Sequence, residues 1–128
     1  MRYLKTYEKV SKESNMFDQY QQIIDDCLIH IKDDGFNYNF RVLTHLNRRY
    51  RTETILSVVI DKRISIYGDL LTFNTKDILP HIKDMSSHLE GSGLKLKESV
   101  YYIGGARSVQ PGSIKFIGDV SKMEVNFI

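Results

Sequence analysis

From Met16 to Gly35 the apolar residues fall at steps of three and four: Phe17, Tyr20, Ile24, Cys27 and Ile31, widened by Ile23 and Leu28. This is the period of an amphipathic helix whose stripe faces a core. Ser14 and Asn15 stand where an N-cap belongs, Asp18 lies near the positive end of the helix dipole, and Gly35 suits a left-handed exit. At Phe36 the period drops to two. Phe36, Tyr38, Phe40 and Val42 alternate with Asn37, Asn39 and Arg41, the pattern of a half-buried strand. Thr52 to Ile60 is rich in β-branched residues and predicts a second strand. Asp61 to Arg63 interrupt the apolar run, which resumes at Ile64, Ile66 and Tyr67. Two strands with a tight turn and one long bent strand both fit, because Asp-Lys-Arg is not a favoured hairpin turn.

Ile78, Ile82, Met85 and Leu89 mark a second helix, with Asn74 or Thr75 as its cap. Pro80 is tolerated only near the start, so a kink or a late start is expected there. Glu90 to Gly93 ends the helix. Leu94 to Ile103 predicts a strand with Leu94, Leu96, Val100 and Tyr102 on one face and Lys95, Lys97, Ser99 and Tyr101 on the other. Gly104 to Ser113 reads as a loop, Ile114 to Ile117 as a short strand and Gly118 to Lys122 as a turn. Met123, Val125 and Phe127 give a last strand, which places the C-terminal residues in the sheet.

Together these elements predict a two-layer α+β fold, with two amphipathic helices on one face of a mainly antiparallel sheet. The order helix–strand–strand occurs twice, either as a duplicated α-β-β unit or only as two helices over one sheet. Residues 16–128 form a single domain on this reading. Met1 to Asn15 is a separate segment in which Leu4, Tyr7 and Val10 sit at helical spacing. It is an amphipathic helix docked on the domain, a mobile tail, or a peptide that addresses a partner. Short strands leave edges through which a homodimer could form, and Lys95, Lys97 and Lys115 are candidates for guarding them.

Composition narrows the class further. With 128 residues, 41% of them hydrophobic, the chain can build a core without disulfides or metal. Its single cysteine excludes an internal disulfide and fits a reducing compartment, and the charged N-terminal stretch has no apolar segment of a secretory signal. No apolar run reaches the roughly 20 residues of a membrane span. The expected location is the cytoplasm. A net charge of +2 is too small to imply a nucleic-acid partner by itself.

Candidate chemistry gathers at the turn after the first strand. Arg48, Arg49 and Arg51 surround Tyr50, with Arg41 and His45 on the approach. Arginine forks match phosphates or carboxylates, and tyrosine can stack on a base or anchor a protein contact. Arg107, in the glycine-rich 104–113 loop, joins them as a binding candidate. That loop lacks phosphate-loop spacing and reads as a flexible hairpin connection. His81 and His88 lie two turns apart on the second helix, with no thiol or carboxylate placed beside them by spacing, so no metal and no cofactor is assigned. Cys27 lies on the apolar stripe and reads as an inert core thiol. The Asp25-Asp26 and Asp33-Asp34 pairs read as solvation. No catalytic constellation stands out, and the chain reads as a non-enzyme.

The opening Met1-Arg2-Tyr3-Leu4-Lys5-Thr6-Tyr7-Glu8 resembles the start of small accessory proteins of tailed bacteriophages, a basic residue followed by Leu-Lys-x-Phe/Tyr-Glu. Lys5-Thr6-Tyr7-Glu8 is also similar to the leader that directs internal head proteins of T-even-type phages into the capsid. There a hydrophobic-x-Glu cleavage site follows, whereas Ser11 stands two places before Glu13 here. The resemblance covers about the first 15 residues. It implies a small phage-encoded accessory protein acting in the host cytoplasm or packaged in the virion. The expected function is binding of another protein through exposed hairpin loops, with nucleic-acid binding through residues 45–51 as the alternative.

Overall fold

The computed structural model describes residues 18–46, 48–63 and 70–128. Met1 to Asn15, with its leader resemblance, and the apolar stretch Ile64–Tyr67 lie outside the described residues. Helix α1 runs over residues 18–28 and tightens into a 3-10 segment, Ile29–Asp34. Gly35 then takes φ 90° and its N–H donates to Lys32 O at 3.0 Å. The left-handed exit needs glycine because a Cβ disfavours that conformation. Ile24, Cys27, Leu28 and Ile31 are buried, as the stripe predicts.

Strand β1 (Phe36–Leu46) pairs antiparallel with β2 (Thr52–Arg63) along its whole length. The run is not broken at Asp61: Asp61 pairs with Asn37 on one side and Lys122 on the other, and Lys62 lies opposite Phe36. Lys62 Nζ also sits 4.9 Å from the Phe36 ring centre. The ladder and this cation–π contact outweigh the polar side chains, so no turn forms over 61–63. Two short strands follow, β3 (Leu70–Leu71) on β2 and β4 (Phe73–Asn74). The Asn74 side chain accepts from Lys76 N at 3.1 Å and caps a 3-10 turn, Thr75–Asp77. Helix α2 therefore starts late, at Leu79, with Pro80 in its first turn, and ends at Gly91.

Strand β5 (Leu96–Ile103) pairs with β6 (Ala106–Pro111) through a two-residue Gly104-Gly105 turn. The expected 104–113 loop is thus mostly a strand, and Arg107 stands on it. Both glycines have positive φ, 54° and 85°, which the turn of a tight hairpin requires. The expected strand at Ile114–Ile117 is irregular chain instead. The expected turn at Gly118–Lys122 contains β7 (Asp119–Val120), paired with β4, and the start of β8 (Lys122–Phe127).

The main sheet has the order β1-β2-β8-β5-β6 and is antiparallel at every pairing. Two α–β–β units, α1-β1-β2 and α2-β5-β6, therefore flank one central strand. Both helices pack on one face, against Leu56, Val58, Ile60, Tyr101, Met123, Val125 and Phe127. The edges are β1 and β6, so Lys95, Lys97 and Lys115 do not guard them. Lys97 Nζ instead pairs with Glu53 at 3.2 Å. A register shift between Leu96 and Glu98 breaks the expected alternation in β5. Leu94 and Leu96 pack on the core with Tyr101, while Val100 and Tyr102 face the other side. Among the described residues no helix is long and apolar enough to cross a membrane.

Residues 113–118 are held without a ladder. Buried Tyr101 donates its hydroxyl to Lys115 O at 2.7 Å and accepts from Lys115 N at 2.8 Å. Ser99 Oγ donates to Ser113 O at 2.6 Å. The Thr75 hydroxyl accepts from Ile117 N at 3.1 Å and from Gly118 N at 3.2 Å. Three side chains thus take the place of a partner strand for this backbone. Tyr101→Phe leaves both polar groups of Lys115 without that partner, and the expected loss is about 1–3 kcal/mol. Urea unfolding measures it as a lower midpoint at an unchanged slope.

Candidate functional site

The β1–β2 hairpin outruns the sheet. β8 pairs with β2 only from Leu56 to Asp61, so the residues before Leu56, and those opposite them in β1, form an arm. Leu43 and Leu46 are exposed along it, Leu46 to 65%, and exposed Val42 stands at its base opposite Leu56. Arg48, Arg49, Tyr50 and Arg51 are exposed at its end. Tyr50 is 88% exposed and takes φ 58°, a conformation uncommon for a residue with a side chain. His45 stands in β1 opposite Glu53. The arm thus joins apolar surface to a cluster of arginines.

Arg41 and Arg107 are not at the tip. They lie on the sheet face turned away from the helices, one on β1 and one on β6. At the centre of that face Glu124 accepts from Ser57 Oγ at 2.9 Å and from Tyr102 Oη at 3.0 Å. Lys122 Nζ lies 4.3 Å from the Tyr102 ring centre. The Tyr102 hydroxyl is held above its ordinary pKa by burial, then by its bond to Glu124 and that carboxylate's charge. Arg41 and Arg107 oppose the shift, which places both near the phenol. A cleft of about 430 Å³ beside them is lined by Asn39, Phe40, Arg41, Val59, Asp61 and Lys122. Two candidates from distant parts of the sequence therefore share one surface, separate from the arginines of the arm.

Folding also assembles a third group, between the helices. Cys27 on α1 and Asp84 and His88 on α2 place one ligand atom each within 4.8 Å of one another. Asp84 Oδ1 and His88 Nε2 are 3.7 Å apart, one helical turn separating them. They line a cleft of about 590 Å³ together with Ile23, Asp26 and Ser87. The expectation that no thiol or carboxylate stands beside the histidines is overturned at His88, which Asp84 precedes by four residues. The Asp84–His88 step was visible in the sequence, but the approach of Cys27 required knowing which face of α2 meets α1. Asp25 and Asp26 divide the same way. Asp25 accepts from Tyr38 Oη at 2.8 Å, whereas Asp26 turns to the cleft.

Burial pushes the Cys27 thiol up to about 11, helped by the charge and hydrogen bond of Asp84 and by the charge of Asp26. The thiol is protonated at neutral pH and is not an activated nucleophile. The raised value means that the unfolded chain loses this proton first. Stability is therefore expected to fall as pH rises from the thiol's ordinary 9.0 towards about 11. Cys27→Ala removes that part of the slope in urea midpoints measured against pH, and Asp84→Asn speeds alkylation of the native thiol.

No protein-family model, no curated protein and no solved structure matches this chain.

Proposed function

We propose that this chain is a non-enzymatic binding module that docks on another protein through the β1–β2 arm. The observation that carries the reading is the arm's composition. Leu43, Leu46 and Tyr50 expose apolar surface beyond the part paired with β8, next to Arg48, Arg49 and Arg51, with exposed Val42 at the base. Tyrosine and arginine are enriched at the centres of protein interfaces, and apolar residues exposed together mark contact surfaces. The arginines favour a partner with an acidic surface. The protonated state of Cys27 supports a role other than nucleophilic catalysis.

The proposal includes the phage accessory role that residues 1–15 imply by resemblance, with the host cytoplasm as its place and the virion as the alternative. Nucleic-acid binding is the second reading, and Tyr50 favours it. An aromatic ring with so little cover beside arginines can stack on an unpaired base. The exposed Leu43 and Leu46 have no use on a phosphate backbone, which is why the protein partner is preferred.

A photo-cross-linking residue in place of Tyr50, and a second in place of exposed Lys83 on α2, test the reading in lysate of the source organism. A discrete protein adduct is expected from position 50 only, and Arg48→Glu/Arg49→Glu should abolish it. Equal adducts from both positions overturn the reading, and an adduct with a second copy of the chain replaces it with self-association. Fluorescence anisotropy with single- and double-stranded oligonucleotides at low salt decides the second reading. Binding that weakens steeply with salt and fails in the double variant would favour nucleic acid.

A further inference from the structure

The cleft between the two helices holds more than a buried thiol. Cys27 Sγ, an Asp84 carboxylate oxygen and a His88 ring nitrogen lie within 4.8 Å of one another, on two helices that pack side by side. In a four-coordinate zinc site, bonds of about 2.0–2.3 Å set neighbouring ligand atoms roughly 3.5 Å apart. The 3.7 Å between Asp84 Oδ1 and His88 Nε2 is already close to that spacing. Both side chains are more than half exposed and can turn by the remaining fraction of a side-chain rotation, whereas Cys27, at 7% exposure, is fixed by packing. The donor set is sulfur, nitrogen and oxygen, which suits a borderline-soft ion and not the hard oxygen-seeking ions.

We propose that Cys27, Asp84 and His88 bind a divalent cation of the zinc class. Binding forms bonds from the three ligand atoms to the ion, and the Cys27 proton leaves to solvent. Thiolate and carboxylate then cancel the two charges of the ion, and Asp26 adds negative potential at the cleft. The three protein ligands leave one place of a tetrahedron for water, which the cleft is open enough to admit. The ion clamps α1 to α2, so its binding also stabilises the fold.

The test uses the full chain, reduced, freed of metal with a chelator, and titrated separately with Co²⁺ and Zn²⁺. Co²⁺ should give the intense visible bands of a four-coordinate site together with a thiolate charge-transfer band. Zn²⁺ should displace it and raise the melting temperature. His88→Gln and Asp84→Asn replace exposed side chains, so they keep the fold. Each should weaken Zn²⁺ by about tenfold or more, at least the loss seen for outer-shell partners of metal sites. Cys27→Ser should abolish the charge-transfer band. A weak six-coordinate Co²⁺ spectrum without that band overturns the proposal. So does a Zn²⁺ affinity unchanged in His88→Gln, which would place the ion on other surface histidines. Either result leaves the reading of the arm untouched.

Discussion

The sheet depends on one strand arriving in the middle. β1–β2 and β5–β6 are hairpins that close locally, but they share no ladder with each other. Only β8 joins them, pairing with β2 along Leu56–Asp61 and with β5 along Leu96–Tyr102. Its inward residues Met123, Val125 and Phe127 are all fully buried under the two helices. Its outward residue Glu124 ties Ser57 of one hairpin to Tyr102 of the other. Both layers and both halves are therefore fastened by six residues. The pairing is distant in sequence, Glu124 lying 67 positions after Ser57. Closing so long a loop has an entropic cost that nothing repays until the ladder forms, which makes this the slow step expected of such a topology.

A second constraint follows from where the chain must go between β6 and β8. It crosses the helix-side end of the sheet, where Ile114 and Ile117 pack against the core. A half-buried irregular segment needs partners for its backbone, and Tyr101 and Thr75 supply them. The polar tip of a core tyrosine thus fixes the path of the chain that delivers the central strand.

The parts of this architecture that keep their period could be read directly. The α1 stripe from Tyr20 to Ile31, the Phe36–Phe40 alternation and the Met123–Phe127 alternation each face one way, and their apolar residues are buried or half-buried, whereas Val42 at the end of the first strand is exposed. The failures have local causes. β6 is an edge strand whose residues are mostly exposed, so it has no apolar alternation, and only the Gly104-Gly105 turn announced it. Ile114–Ile117 is apolar like a strand, but Ile114 and Ile117 are only half-buried, Phe116 is exposed, and side chains rather than a ladder hold its backbone. The candidate residues divide in the same manner. Arg48 to Arg51 sit at a hairpin end, as a turn between two strands requires. Arg41 and Arg107 were chosen from two different connections, and only the strand order brings them to one face. Cys27 was read as a core residue, which it is. That it also borders Asp84 and His88 depends on helix-to-helix packing, which no spacing within one segment encodes.

The irregularity between Leu96 and Glu98 has an effect on how the chain can vary. It shifts the phase of the strand by one residue, so a single element serves two opposite layers. Leu94 and Leu96 go under the helices from one end, and Val100 and Tyr102 go to the far surface from the other. If Lys97 took an ordinary place in the ladder opposite Asn126, the pleat would be regular but inside and outside would be exchanged over the rest of the strand. Tyr101 would turn to water and lose its hold on Lys115, and the Tyr102 phenol would be driven under α2. The extra residue thus sets the parity of everything after it, and a chain lacking Lys97 would keep the same faces on a straight ladder.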